Sequence, residues 1–427
     1  MAACISLGQS VAHIGGPLSL SRAIELAAQN SPAAVGSAAD LVAAREASKG
    51  ARAKRLPALS ANGFATAGSY GSIYPSAPRV DPAYNLLTPS GGFLDANLTL
   101  MLPLFTSGQL EAMAGSADSL EAAAIFDLRE AQTDASLAAM DGYLRALLAT
   151  ENEAAETARI EANGEMVKTT RAQVDAGKGI EASVRRVEAE LAQGQRALAT
   201  ARGEREKAML ELKSILGVDL DSEISLADPL PDPGVAEPLA SYVASAAKNR
   251  AALMAAKARL RSSEADVRAA EGAQRPQLYG VAMADAGTQP MSSGASLGLV
   301  LSVPIFDGGG RKAETAKLRA IRDRAAANLR QSDLNVQREV RQAYVDRATA
   351  DANVRSAAAS VESAKASYEV AAMRVENGKS ILLEQLDALQ ALTRAKADLA
   401  QARYDWVIAE ARLRRAAGLP LLKEASK

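Results

Sequence analysis

Two similar stretches of sequence decide the fold: residues 94–108 read LDANLTLMLPLFTSG, and residues 295–309 read ASLGLVLSVPIFDGG. In each, apolar residues alternate with polar or small ones over nine positions, which is the period of a β-strand with one apolar face. Each strand exits through a Pro-[Leu/Ile]-Phe-x-x-Gly segment, and a long run without proline follows. The sequence therefore predicts, twice, a strand that leads directly into a long helix.

These stretches belong to a tandem repeat that covers most of the chain. One offset of 201 residues relates 94–108 to 295–309 and persists to the end of each copy, where Gly217 matches Gly418. An offset of 219 relates the opening segments, Leu20–Asn30 and Leu239–Asn249. The difference falls in residues 70–92, which are rich in Pro, Tyr, Ser and Gly. We predict a longer loop there in the first copy.

Each copy contains the same predicted parts in the same order. They are a helical run, a pair of strands, a helix of 69 residues and a shorter return helix. A helix of that length measures about 100 Å. The predicted runs are 20–55, 59–70, 94–102, 108–177 and 177–217 in the first copy, and 239–274, 278–286, 295–303, 309–378 and 378–418 in the second.

Heptad spacing predicts how the helices pair. Large residues recur every seven positions, with alanine three residues on at most of them, which is typical of a left-handed coiled pair with close helix approach. A plain soluble coiled-coil scaffold would also explain these helices. The large residues are Val354, Val361, Tyr368 and Val375, followed on the return helix by Leu392, Leu399, Trp406 and Leu413.

The strand count predicts oligomerisation if the strands enter a membrane. Four strands cannot close a barrel around a pore, and an open sheet edge cannot lie in lipid. Three copies would supply twelve strands and twelve helical staves, so both parts close with one symmetry. The fold expected is mainly α with a small β part. The alternative for the strands is the edge of a soluble sandwich.

Composition excludes several classes of function. Net charge is −1, which argues against nucleic acid as a partner. Cys4 is the only cysteine and His13 the only histidine, so disulfides, zinc clusters and Cys-His dyads are unavailable. Asp307-Gly-Gly-Gly310 lies where a phosphate loop would but lacks its Lys-Ser/Thr pattern, and we interpret it as a bend. We expect no enzyme, cofactor or metal site.

The termini and the middle of the chain give the domain boundaries. Ser10-Val11-Ala12 fits a cleavage site, so residues 1–16 are interpreted as a signal-peptide remnant and leader. Lipidation at Cys4 is the alternative role for this segment. The two repeats then occupy 17–217 and 239–422. A linker at 218–238 and a tail at 423–427 complete the chain.

Several of these motifs together resemble the TolC, or outer membrane efflux protein, family, from about Pro17 to Leu422. The resemblance implies a trimeric channel tunnel, with a twelve-stranded outer-membrane β-barrel continuing into a twelve-helix periplasmic barrel. In that topology we predict that the loop at 70–92 faces the cell exterior. It implies a passive exit duct for efflux or type I secretion, working with a periplasmic adaptor and an inner-membrane transporter of the RND, ABC or MFS type. The motifs are the Leu-x-x-Ala-Ile-x-x-Ala-x-x-Asn-x-Pro opening from Leu20, Arg55-Leu-Pro57, both strand exits, both Val-x-x-Gly turns and Leu386-Asp387-Ala388.

The resemblance also assigns roles to particular residues. It places adaptor docking at the hairpin tips, with a plain structural turn as the alternative. It places an acidic ring at the periplasmic pore entrance, from Glu384 and Asp387 of each copy, with a solvated outer face as the alternative. The tip positions are Val174, Gly177, Lys178, Val375, Gly378 and Lys379; the strand-to-helix bends are Pro103, Gly108, Pro304 and Gly309.

Overall fold

The computed structural model describes residues 16–66, 93–177, 180–228, 237–287, 294–377 and 379–422. The leader before Gly16, the loop predicted at 70–92, Lys178 and Gly378 lie outside the described residues. The helices are α1 Leu20–Asn30, α2 Pro32–Ala53, α3 Gln109–Asp175, α4 Glu181–Leu216, α5 Leu239–Asn249, α6 Ala251–Gly272, α7 Gly310–Glu376 and α8 Leu382–Ala416. The strands are β1 Gly16–Leu18, β2 Ala58–Thr66, β3 Phe93–Phe105, β4 Ile224–Leu226, β5 Gln277–Gly287 and β6 Gly294–Ser302.

Each predicted opening run is two helices rather than one. In the first copy Ser31 is extended, with φ −60° and ψ 139°, because Pro32 disfavours helical backbone in the residue before it. The hydroxyl of Ser31 then accepts the N–H of Ala34, at 3.2 Å, and caps α2. In the second copy Arg250 takes the same place, with φ −65° and ψ 116°, although no proline follows it.

The four long strands form one antiparallel sheet in the order β2-β3-β5-β6. The predicted division into two faces is confirmed by the register. One row across the sheet is apolar, and the neighbouring row, which points to the other face, is mainly polar. The apolar row is Leu59, Leu100, Ala282 and Leu297; the other is Ser60, Thr99, Met283 and Ser296.

A second, two-stranded sheet was not predicted. β1 and β4 pair in parallel, with Gly16 opposite Ile224 and Leu18 opposite Leu226. β1 lies at the boundary between the predicted leader and the first repeat, and β4 lies in the predicted linker. Three residues are too few to show a period of two, so the pattern could not reveal these strands.

The core confirms the heptad spacing on α8, whereas on α7 only Val354 of the four predicted large residues is fully buried. Residues 1–40, 125–255 and 330–427 form one compact unit, and residues 41–124 and 256–329 form another that contains the four-stranded sheet. Each unit draws segments from both repeats. No helix in the described part of the chain has an apolar stretch long enough to cross a membrane. In the first unit the buried heptad residues of α8 are Leu392, Ala395, Ala402, Trp406, Ala409, Leu413 and Ala416.

Candidate functional site

The two hairpin tips are tight reversals between long helices. Gly177 has φ +72°, a left-handed conformation that glycine adopts without strain, and its N–H donates to the carbonyl of Val174 at 2.9 Å. At the second tip the N–H of Lys379 donates to the carbonyl of Arg374 at 2.8 Å. Val174 is half-buried, whereas Gly177 and Lys379 are exposed.

An isoleucine is exposed at each tip and was missed by the sequence analysis. Ile180 is 68% exposed and Ile381 is 67% exposed, each as the residue that precedes a return helix. They are equivalent positions of the repeat, 201 residues apart. The repeat offset could have identified them, because it places a large apolar residue at the same position after both turns. A single exposed apolar side chain is common on protein surfaces, so the feature of interest is its recurrence at the same position of both tips.

The two acidic residues of the second hairpin have different surroundings. Arg374, in the last turn of α7, lies 3.1 Å from the Glu384 carboxylate, and the Ser380 hydroxyl also donates to Glu384. Asp387 is exposed, and the described residues offer its side chain no ion pair or hydrogen bond. The spacing of the two carboxylates suggested equivalent roles. The structure instead leaves one carboxylate paired and one free.

A cluster of five charges joins four segments of the first unit. Arg250, at the junction of α5 and α6, lies 2.9 Å from Glu130 of α3 and 3.2 Å from Glu339 of α7. Arg415 of α8 contacts the same two carboxylates and also Asp134. Burial raises the pKa of Glu130, and the two guanidinium groups oppose that shift. The cluster thus depends on both arginines.

This cluster takes members from both repeats, and it has no equivalent at the matching positions. The positions equivalent to Arg250 and Arg415 in the first copy are Ser31 and Ser214, which carry no charge. The two repeats share a backbone plan but differ in the chemistry at their helix junctions. The cluster could not be predicted from the sequence, because its members are far apart in the chain and no motif contains them.

A polar triangle joins α3 to α8 in the same unit. The hydroxyl of Tyr404 donates to Asp141 at 2.6 Å and accepts from Nε of Arg145 at 3.1 Å. Arg145 also pairs with Asp141 at 2.8 Å. Burial, followed by the hydrogen bond to Asp141, raises the pKa of Tyr404 to about 12. The phenol is therefore held neutral at every physiological pH.

The strand-to-helix connections are bends with their backbone donors occupied. Gly108 and Gly309 have φ +80° and +91°. The Asp307 carboxylate accepts the N–H groups of Arg311 at 2.9 Å and Gly309 at 3.0 Å, and these bonds lower the pKa of Asp307. This use of the amides agrees with a bend rather than a phosphate loop. Of the predicted bend residues, Pro304 lies in the connection after β6, whereas Pro103 lies within β3 beside a register shift.

The outer strands of the four-stranded sheet have open edges within the described residues. β2 and β6 are each nine residues long, and neither contains proline, lysine or arginine. Soluble proteins commonly protect such edges with those residues. Leu297 of β6 is 87% exposed and Leu299 is 70% exposed. An open edge and an exposed apolar face occur together on one sheet.

Comparison with protein families gives one match to the whole repeat pattern. The model of the outer membrane efflux protein family matches residues 23–218 and again residues 243–419. The chain belongs to the outer membrane efflux protein family. Two segments of one family model agree with the internal repeat. The protein is an outer-membrane exit duct for efflux or secretion in a Gram-negative bacterium.

Two relatives with different names match most of the chain. The chain is 26% identical to the outer membrane efflux protein BepC of Brucella suis over 363 residues, which cover 80% of this chain and 77% of BepC. It is also 26% identical to the alkaline protease secretion protein AprF of Pseudomonas aeruginosa over 349 residues, covering 76% and 69% of the two chains. Both matches extend over most of each protein.

Solved structures show the same fold. CusC superposes with a TM-score of 0.79 at 17% identity, over 97% of this chain and 96% of CusC. VceC of Vibrio cholerae gives 0.76 at 19% identity, over 94% and 97%. The MtrE outer membrane channel of Neisseria gonorrhoeae gives 0.76 at 17% identity, over 96% and 91%. This outer membrane efflux protein therefore has the TolC-type fold.

Proposed function

We propose that three copies of this outer membrane efflux protein close their sheets into one twelve-stranded barrel, which continues into a twelve-helix tunnel. The observation that carries the proposal is the pair of open strand edges on a sheet with an exposed apolar face. An isolated sheet of this kind has unpaired backbone groups that lipid cannot satisfy. Pairing β6 of one copy with β2 of the next removes every edge.

The sheet has the strand directions that this closure needs. All three pairings within the four-stranded sheet are antiparallel, so β2 and β6 run in opposite directions. When copies are related by rotation, β6 of one therefore meets β2 of the next in antiparallel orientation. The equal lengths of the two edge strands, nine residues each, let them pair along their full extent. Twelve strands leave room for an aqueous lumen.

The hairpin tips are proposed as the docking surface for a periplasmic adaptor, which would link the duct to an inner-membrane transporter. Matched exposed isoleucines, Ile180 and Ile381, support a contact surface at both tips. The duct itself is proposed to be passive and to catalyse no reaction. BepC is named for efflux and AprF for protease secretion. The partner transporter, rather than this chain, would then select the cargo.

The experiment places one charge on each face of β6. Leu299→Asp puts a carboxylate on the apolar face, and Ser296→Asp puts the same charge on the other face of the same strand. Leu299→Asp should prevent membrane insertion because a carboxylate facing lipid is costly, and Ser296→Asp should insert normally. Native mass measurement in detergent should give a trimer for the wild type. A stable inserted monomer or dimer would contradict the proposal, and purification without detergent would favour a soluble scaffold.

A further inference from the structure

The charge on the four-stranded sheet is confined to acidic residues. The sequences of β2, β3, β5 and β6 contain two aspartates, Asp95 and Asp285, and no lysine or arginine. Asp285 lies on β5, two residues before that strand ends at Gly287. The segment predicted to face the cell exterior joins β2 and β3 at the same end of the sheet. Asp285 is therefore near that end.

The register fixes the face on which Asp285 lies. Asp285 pairs with Asn97 of β3 and with Gly294 of β6, and Asn97 pairs with Asn62 of β2. The Asn62 side chain donates to the Asn97 side chain at 2.9 Å, so the row is polar and its members point to one side. The next row, which contains Leu98 and Ala284, points to the opposite side, as does the row that contains Leu59 and Leu297.

No positively charged side chain among the described residues lies beside the Asp285 carboxylate. The side chain is half-buried, and no described residue forms an ion pair or hydrogen bond with it. An unpaired carboxylate on a lipid-facing surface would oppose insertion. On the polar face of a closed barrel it faces water instead. The leucines of the opposite face are suited to contact lipid. The sheet would then turn its leucine face to the membrane and its polar face to the lumen.

We propose that Asp285 faces the barrel lumen and sets the ionic preference of the outer part of the duct. This rests on the proposed closure of three copies into one barrel. Rotational symmetry would then place three Asp285 carboxylates at one height, with no cationic strand residue to offset them. A ring of carboxylates around a narrow aqueous path attracts cations and repels anions. This ring is separate from Glu384 and Asp387, which belong to a helical hairpin.

Single-channel recording in planar bilayers tests the proposal with three variants. Asp285→Asn should weaken cation preference in a salt gradient without abolishing it, because Asp95 of β3 and Asp387 of the hairpin keep their charges, and Asp285→Lys should weaken the preference further. Ser296→Asn, a neutral change on the same face of the neighbouring strand, should leave the preference unchanged. A trivalent cation added on the extracellular side should block the wild type more strongly than Asp285→Asn. The same cation added on the periplasmic side should block both equally.

The outcomes separate this inference from the proposed function. If Asp285→Asn channels insert as trimers with unchanged preference and unchanged extracellular block, Asp285 does not set selectivity and the inference fails. If Asp285→Lys alone fails to insert while Asp285→Asn gains stability in lipid, the residue faces lipid and the inference also fails. If wild-type protein forms no channel and no trimer, it is the proposed closure that fails.

Discussion

Arg250 lies 2.9 Å from Glu130, and this contact joins the junction of α5 and α6 to α3. The Arg250 side chain is 5% exposed, so its charge is satisfied by protein rather than by water. Besides Glu130 it meets Glu339 at 3.2 Å and the carbonyl of Arg415 at 3.1 Å. One side chain thus fixes a helix junction that has no proline to define it. In the first repeat Pro32 interrupts the helix at the equivalent junction.

Replacing Arg250 should therefore be costly. Arg250→Gln leaves Glu130 and Glu339 with Arg415 as their remaining shared partner. The expected loss in unfolding free energy is about 3 kcal/mol, at the low end for a buried ion pair because Glu339 keeps partial access to water. Arg45→Gln is the control, since it removes an exposed pair with Glu121 at 3.4 Å and should cost less than about 1 kcal/mol. Thermal unfolding in detergent measures the stability of both variants. Equal losses would contradict the stabilising role given to Arg250.

Tyr404 should make stability fall at high pH. Its pKa is raised from 10 to about 12 in the folded protein, so above pH 10 the unfolded chain releases this proton first. The free energy of unfolding should therefore decrease as pH rises from 10 to 12, through this group. Tyr404→Phe removes that contribution and should flatten the decrease. The difference in ultraviolet absorbance between wild type and variant should show a phenol that ionises near pH 12, and ionisation near 10 would count against the triangle.

The free carboxylate at the second tip should matter more for ion preference than the paired one. Asp387→Asn removes an unpaired charge, whereas Glu384→Gln removes one that Arg374 already offsets at 3.1 Å. We expect the first variant to lose more cation preference in single-channel recordings. Arg374→Gln should increase the preference by releasing Glu384. If none of the three variants changes preference or periplasmic block by multivalent cations, these residues lie on an outer solvated face.

Gly418 should not tolerate a side chain. It has φ +69°, and a Cβ there would lie 2.8 Å from the carbonyl carbon of Asn249. Gly418→Ala should destabilise the protein by about 1–3 kcal/mol through backbone strain. Gly203→Ala, inside α4 with no atom within 4 Å of the added Cβ, should stabilise it by about 0.5–1 kcal/mol. Chemical denaturation in detergent measures the change in unfolding free energy for each variant. A change of the same sign in both variants would contradict the argument from the space around each glycine.

The exposed isoleucines should be needed for export but not for assembly. Ile180→Asp and Ile381→Asp introduce charge on surfaces that are already in water, so the trimer should form and insert as before. Export through the complete system should fall if an adaptor contacts these residues. Asp175→Asn, an exposed change close to the first tip, is the control. Full export by both isoleucine variants would indicate that the tips are turns without a docking role.

Spacing along the chain predicted the parts of the fold that depend on local periodicity. The strand faces around Leu100 and Leu297 followed from a period of two. The long helices, and the buried stripe through Leu392 and Leu413, followed from a period of seven. These patterns persist because each repeats over many residues, so single exceptions do not hide them.

Features that depend on contacts across the chain could not be predicted. The helix break at Arg250 has no proline or glycine to mark it, and its cause is a set of partners on other helices. β1 and β4 are too short to show a period. Arg374 was not linked to Glu384, because an ion pair across a reversal requires knowledge of how the tip folds. In each case the deciding interaction joins residues that no common motif contains.

The ion pair between Arg374 and Glu384 makes the second tip chemically different from the first. A ligand that recognises this ion pair can therefore bind only one of the two tips of each copy. The first tip has Gln173 and Ser183 at the equivalent positions, which carry no charge. Three copies would therefore present six tips with a similar backbone. Three of them would carry the Arg374–Glu384 ion pair and three would carry the uncharged Gln173 and Ser183, in alternation around the assembly. A ligand that recognises the charged kind should saturate at three per assembled duct, and one that recognises only the shared isoleucines should saturate at six. Binding stoichiometry alone can thus distinguish which side chains a partner contacts.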